Sequence, residues 1–417
     1  MKKNIDLLER AILVGVKLPN QDKQSVETSM EELKDLTRTA NGQVAAIVTQ
    51  SRQSPSARSY IGQGKLLEVK ELCLQHEANT VIFDNELTGS QVKNLTNELD
   101  CKVIDRTELI LDIFASRART AEAKLQVELA QLKYLLPHLV GKGIELSRLG
   151  GGIGTVGPGE TQLEYDRRRI HQRIITINRA IKNVQQSRKQ HRLSRSDCPV
   201  GAIVGYTNAG KSTLLNTISK ASVQVEDKLF TTLDPTTRKI RLDKVREVFL
   251  TDTVGFIQNL PHHLVSAFSS TLEEVTCADF LLHVIDITTP YLELQTEAVL
   301  KVLHELKADT IPRIIVLNKA DNAESFESCE HMLHRFQPAV IISALHAQGI
   351  DKLIDSILKL PMMRMKMVHV DVPINDSELL AWIQQHANIL WQEYQDTVIS
   401  MDLEMLPIFA ARLEKRL

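Results

Sequence analysis

Cysteine is scarce and unpatterned in this chain. Its five cysteines, Cys73, Cys101, Cys198, Cys277 and Cys329, form no C-x-x-C pair. That spacing excludes a zinc ribbon or a disulfide framework and fits the reduced thiols of a cytoplasmic protein. No apolar run approaches the length of a bilayer-spanning helix, and acids come soon after the two lysines at the N-terminus. Neither a membrane span nor a signal peptide is expected. An excess of charge is missing too: the net charge of -2 argues against a uniformly basic nucleic-acid coat. What is present is bulk: 417 residues, 43% of them apolar, are enough for two or three cores. The chain is expected to act as a monomer.

The stretch that organises the rest is Gly205-Tyr206-Thr207-Asn208-Ala209-Gly210-Lys211-Ser212. It has the phosphate-loop pattern, with an apolar strand (Ala202 to Val204) before it and a helix after it. Glycines let successive N–H groups curl toward an anion at the helix N-terminus. Lys211 then reaches the β/γ-phosphates and the Ser212 hydroxyl ligates Mg²⁺.

Three later motifs, each at a strand end, settle the nucleotide. Asp252-Thr253-Val254-Gly255 closes the strand Val248 to Thr251. Asp252 there holds a metal-bound water, and the Gly255 N–H meets a γ-phosphate. Asn318-Lys319-Ala320-Asp321 closes the strand Ile314 to Leu317. A buried carboxylate at Asp321 accepts from N1–H and the exocyclic amine of guanine, a pair of donors that adenine lacks. Ser343-Ala344-Leu345 succeeds the strand Ala339 to Ile342 and offers a backbone N–H to guanine O6. These motifs predict a GTPase that binds GTP and GDP.

A switch segment is expected at Phe230-Thr231-Thr232-Leu233-Asp234. Thr232 is assigned as the second Mg²⁺ hydroxyl, with Thr231 as the near alternative. Lys211, Thr232 and Gly255 are the expected catalytic groups. Phe256 stands where Ras-like switches carry a water-orienting glutamine, so slow intrinsic turnover is expected. Asn208 reads either as a ligand of a monovalent cation, K⁺, or as simple loop geometry.

Around this domain the fold class is α/β, with a helical hairpin set between the N-terminal and GTPase domains. Residues 1–117 alternate short strands and amphipathic helices, which predicts a small parallel α/β domain. Residues 118–197 predict an antiparallel helical hairpin, with stripes Leu125, Leu129, Leu132, Leu136, Leu139 and Ile170, Ile174, Ile177, Ile181, Val184. Its connecting loop, 141–159, holds eight of the eighteen glycines. The second hairpin helix carries ten Lys or Arg and no acid between Asp166 and Asp197. A single-sign run of that length points to a polyanion, and RNA is the natural candidate. The GTPase domain, a doubly wound sheet, takes residues 198–361. Residues 362–417 predict a small α/β appendix, with a helix from Ser377 to Leu390 and both Trp382 and Trp391 in its core.

Several stretches resemble the HflX family of ribosome-associated GTPases. They are Asp105-Arg106-Thr107, Ala118-Arg119-Thr120, Lys124 to Leu129, Gly151 to Glu164 and Leu233 to Arg238. The resemblance implies a cytoplasmic factor that binds the large ribosomal subunit and its ribosomal RNA in the GTP state. It also implies that the factor helps to split or recycle stalled ribosomes. A rival reading is a GTP-dependent partner of an RNA-modifying or ribosome-assembly system.

Overall fold

The computed structural model describes residues 9–139, 162–193, 198–220, 229–230, 234–258, 269–321, 333 and 336–417. The chain divides into two compact units. One gathers the described residues of Met1–Gln185, Asp227–Asp234 and Gln258–Ser270; the other gathers Gln186–Glu226, Pro235–Ile257 and Thr271–Leu417.

The first unit begins with a four-stranded parallel sheet of order β2-β1-β3-β4. Its strands are β1 (Arg10–Lys17), β2 (Gln43–Ser51), β3 (Thr80–Phe83) and β4 (Lys102–Asp105). The central strands bury both faces, as their unbroken apolar runs require. The connecting helices are α1 (Lys23–Thr39), α2 (Gln63–Gln75), α3 (Gly89–Leu99) and α4 (Arg106–Arg117). Asp22, Thr88 and Asp105 cap α1, α3 and α4 by accepting backbone N–H bonds.

Two longer helices come next, α5 (Ala121–His138) and α6 (Gln162–Leu193). Leu129, Ile177 and Ile181 meet in a buried seam flanked by Leu125, Leu132 and Ile174, the leucine and isoleucine stripes of the sequence. The glycine-rich loop 141–159 lies outside the described residues. The basic face of α6 is not uniformly solvated: Arg173 donates twice to the Glu128 carboxylate on α5, at 2.6 and 2.8 Å.

The second unit is built on a six-stranded sheet of order β10-β9-β8-β5-β7-β6. Its strands are β5 (Val200–Gly205), β6 (Thr236–Arg241), β7 (Glu247–Asp252), β8 (Phe280–Asp286), β9 (Arg313–Asn318) and β10 (Ala339–Ile341). All pairs are parallel except β6 against β7. Helices α7 (Lys211–Ile218), α8 (Ser269–Thr276) and α9 (Leu292–Glu305) lie between its strands, and α10 (Ile350–Leu358) follows β10. The chain leaves β5 for β7 on one side and β8 for β9 on the other, so a crevice opens at the carboxyl ends of β5 and β8.

The C-terminal part is an antiparallel sheet of order β11-β13-β12. Its strands are β11 (Lys366–Pro373), β12 (Ala387–Tyr394) and β13 (Val398–Met405). Helices α11 (Ser377–His386) and α12 (Pro407–Arg416) cover one face. The expected helix from Ser377 to Leu390 is cut short: it stops at His386, and Ile389 and Trp391 pair as part of strand β12 with β13, with a bulge at Leu390 between them. Trp382 packs on this core, stacked on His386. Trp391 does not; it is 44% exposed. Among the described residues no helix is long and apolar enough to cross a membrane.

Candidate nucleotide site

The phosphate loop runs from the end of β5 into α7, and its conformation is fixed by two neighbours. Gly210 takes φ 92°, and a Cβ there would lie 2.2 Å from Asn318 Nδ2, so only glycine fits. Gly255 passes so close that a Cβ would lie 2.8 Å from Thr207 Cα and 3.0 Å from Lys211 Nζ. The Thr207 N–H donates to the Phe256 carbonyl (2.8 Å) and the Phe256 N–H to the Gly205 carbonyl (3.1 Å). These two bonds draw the segment Asp252–Gly255 against the phosphate loop. Phe256 itself is 2% exposed and packs as core.

Lys211 is buried, and its ammonium donates to the Tyr206 carbonyl at 2.7 Å. Burial pulls its pKa down to about 8 from 10.5, against the opposing pull of Asp252. The Ser212 hydroxyl donates to Asp252 Oδ2 at 2.6 Å. A hydroxyl and a carboxylate side by side are the hard oxygen donors that Mg²⁺ takes. Thr253 is turned away from this pair and donates to the Ile203 carbonyl (2.7 Å), while Val254 is buried. Asn208 is exposed and takes φ 60°, a left-handed conformation that asparagine tolerates.

At the base end, Asn318 acts as a strut. Its Nδ2 donates to the Ala209 carbonyl and its Oδ1 accepts from the Ala344 N–H, both at 2.9 Å. Ala320 donates to the Ile342 carbonyl (3.1 Å). The Ser343 hydroxyl donates to Asp321 Oδ1 at 2.7 Å and holds that carboxyl below its ordinary pKa. Asp321 is open to solvent here, not buried as the motif alone suggests. Leu345 is 72% exposed.

Sequence reasoning misses Asp286, at the end of β8, whose carboxylate pairs with Lys319 Nζ at 2.7 Å. An acid at the carboxyl end of a strand beside β9 is the available signal. It also misses His283 on β8, buried within the sheet, whose pKa is pulled down to about 3 by burial first and then by the charges of Arg313 and Lys211.

Of the expected switch segment, Thr231, Thr232 and Leu233 lie outside the described residues. Phe230 and Asp234 belong to the first unit. The Phe230 ring meets Phe114 edge-on at 4.6 Å. Both Asp234 carboxylate oxygens are taken up: Oδ2 accepts from the Arg119 and Thr120 N–H groups at 3.2 Å, and Oδ1 from the Thr120 hydroxyl. Thr120 is also the N-cap of α5. In the same unit the buried Arg106 guanidinium binds Glu32, Asp84 (2.7 Å) and the Gln258 carbonyl (3.3 Å).

Four family descriptions match consecutive parts of the chain. "GTP-binding GTPase N-terminal" spans residues 27–115 and "GTP-binding GTPase Middle Region" 117–195. "50S ribosome-binding GTPase" matches 200–319 and "HflX C-terminal domain" 331–417. A protein called GTPase HflX from Caldanaerobacter subterraneus is 47% identical over 95% of this chain and 91% of its own. One of the same name from Escherichia coli is 47% identical over 77% of this chain and 75% of its own. A solved GTP-binding protein from Sulfolobus solfataricus, in complex with GDP, is 27% identical, with TM-score 0.45 over 84% of this chain and 98% of its own.

Proposed function

The chain belongs to the HflX family of GTPases, and from that premise we propose that it is a cytoplasmic ribosome-binding factor. In this reading it engages the large subunit and its ribosomal RNA in the GTP state, and it splits or recycles stalled ribosomes. The observation that carries the reading is the arginine triplet Arg167, Arg168 and Arg169, on α6 within a run that holds no acid. The description "50S ribosome-binding GTPase", matched by residues 200–319, supports its ribosome-binding part.

The nucleotide roles are assigned from the motifs, and the geometry around Lys211, Ser212 and Asn318 supports them. Backbone N–H groups of Gly205 to Ser212 cradle the phosphates. The Lys211 ammonium exchanges its Tyr206 carbonyl for a phosphate oxygen and neutralises the charge that develops there during transfer to water. The Gly255 N–H meets the γ-phosphate, and Asp321 reads guanine, with the Ala344–Leu345 backbone facing O6. Ser212 and Thr232 would hold Mg²⁺, with Asp252 binding through water. When bound, that ion supplies charge neutralisation at the phosphate oxygens. Phe256 cannot orient water, so positioning falls to backbone groups, to a cation such as K⁺ near Asn208, or to the ribosome.

Sedimentation with large subunits in GTP and in GDP tests this reading. Binding is expected in GTP only, and turnover is expected to rise when subunits are added. Changing Arg167, Arg168 and Arg169 together to glutamate should weaken binding. The slope of log affinity against log salt should flatten by about 0.7–0.9 for each phosphate that is no longer neutralised. Unchanged binding and slope in a folded, GTP-binding triple variant would defeat it.

A further inference from the structure

One face of the C-terminal sheet is exposed along its two edge strands, β11 and β12. The inward residues of its central strand, Ile399, Met401, Leu403 and Met405, are buried against α11 and α12. Alternation sends Ser400, Asp402 and Glu404 to the other face. Register then builds three rows across the sheet. Asp371 and Glu393 flank Ser400, whose hydroxyl donates to Asp371; His369 and Trp391 flank Asp402; and Met367 and Asn388 flank Glu404, to which Asn388 donates at 3.4 Å.

Four carboxylates share these rows with no lysine or arginine. One imidazole stands among them, His369, whose Nδ1 lies 2.7 Å from Asp402 Oδ1. It cannot balance four acids, and carboxylates gathered on one sheet face repel one another. The edges of the face are open, with Met367 67% exposed and Trp391 44%, while Ser400 between the edge strands is buried. Exposed tryptophan and methionine are residue types that concentrate at the centres of protein interfaces. An indole beside carboxylates attracts guanidinium and ammonium groups through its ring face. The same charge repels a phosphate backbone, so the sign selects against nucleic acid.

We infer that this face, with Trp391 at its middle row and Asp371, Glu393, Asp402 and Glu404 around it, docks a lysine- and arginine-rich polypeptide segment. The inference stands apart from the ribosome reading, because it rests on the C-terminal sheet alone and its test needs no ribosome.

The test uses the full chain and a fluorescein-labelled peptide of mixed lysine and arginine, read by anisotropy across a salt series. Saturable binding that weakens as salt screens the charges is expected. D371K/E393K should weaken it by on the order of tenfold or more, since like charges then face the peptide. W391A should weaken it several-fold. E297K/D355K, a reversal of two acids on α9 and α10, should leave it unchanged. Circular dichroism and GDP binding check the fold of each variant. If D371K/E393K does not fold, W391A, a truncation at an exposed position, decides alone. Wild-type affinity in either folded variant overturns the inference, as does equal weakening by E297K/D355K, which would mean that only net charge is sensed. Loss of RNA-oligonucleotide binding in D371K/E393K would also overturn it.

Discussion

Asn318 donates to the carbonyl of Ala209 across 2.9 Å, and so ties the end of β9 to the tip of the phosphate loop. Because its other amide atom accepts from Ala344 N–H, one side chain fixes the phosphate end and the base end of the site together. Asn318→Ala would leave two buried backbone groups unpaired, each at a cost of about 1–3 kcal/mol. Affinity for GTP and GDP should fall together, by roughly tenfold or more. Calorimetric titration with both nucleotides checks this; a fall for one nucleotide alone would contradict the strut.

Asp321→Asn asks which group reads the base. The amide presents a donor to guanine N1–H, so GTP affinity should drop by orders of magnitude, while xanthosine triphosphate should gain. Competition between the two nucleotides measures it. Unchanged GTP binding would remove Asp321 from the role.

Lys211 predicts a pH dependence with a definite sign. In the nucleotide-free protein its pKa lies near 8, below its usual 10.5, so the fold favours the neutral amine. Phosphate needs the ammonium. Affinity for GTP should therefore be level below pH 8 and fall above it, by up to about tenfold per pH unit. Stability of the free protein runs the opposite way: the burial penalty is complete below pH 8 and relaxes as pH rises toward 10.5. Nucleotide titrations and thermal melts from about pH 7 to 10 read both trends, and parallel rather than opposed trends would refute the assignment.

Phe256 is core, and its substitution should act on stability first. Phe256→Ala opens a cavity in a packed site and should cost about 3–5 kcal/mol. Turnover per folded molecule should change far less than when a catalytic glutamine is removed. Denaturant unfolding alongside single-turnover hydrolysis separates the two effects.

The nucleotide motifs are legible because phosphate and guanine chemistry dictate short local patterns at strand ends, from Gly205 to Ser212 and again at Asp252 and Asn318. The stripes of α5 and α6 are legible for a similar reason, since helical periodicity is local. Asp234 and Gln258 are not. Their partners, Thr120 and Arg106, lie 114 and 152 residues away in the chain, and nothing near either residue announces them. Trp391 misleads because Ile389-Leu390-Trp391 continues an apolar pattern that suits a helix. Pairing with β13 overrides that local preference and turns the indole outward.

The division of the chain into units bears on how it could be cut. Phe230, Asp234 and Gln258 lie inside the GTPase stretch of the sequence but pack with residues before 140. A fragment starting at residue 198 would keep every phosphate and guanine motif. It would strip the Phe230 ring of Phe114, the Asp234 carboxylate of Thr120 and the Gln258 carbonyl of Arg106. Rates and affinities measured on such a fragment would describe a molecule in which Phe230, Asp234 and Gln258 have lost these partners, and they would not transfer to the whole protein.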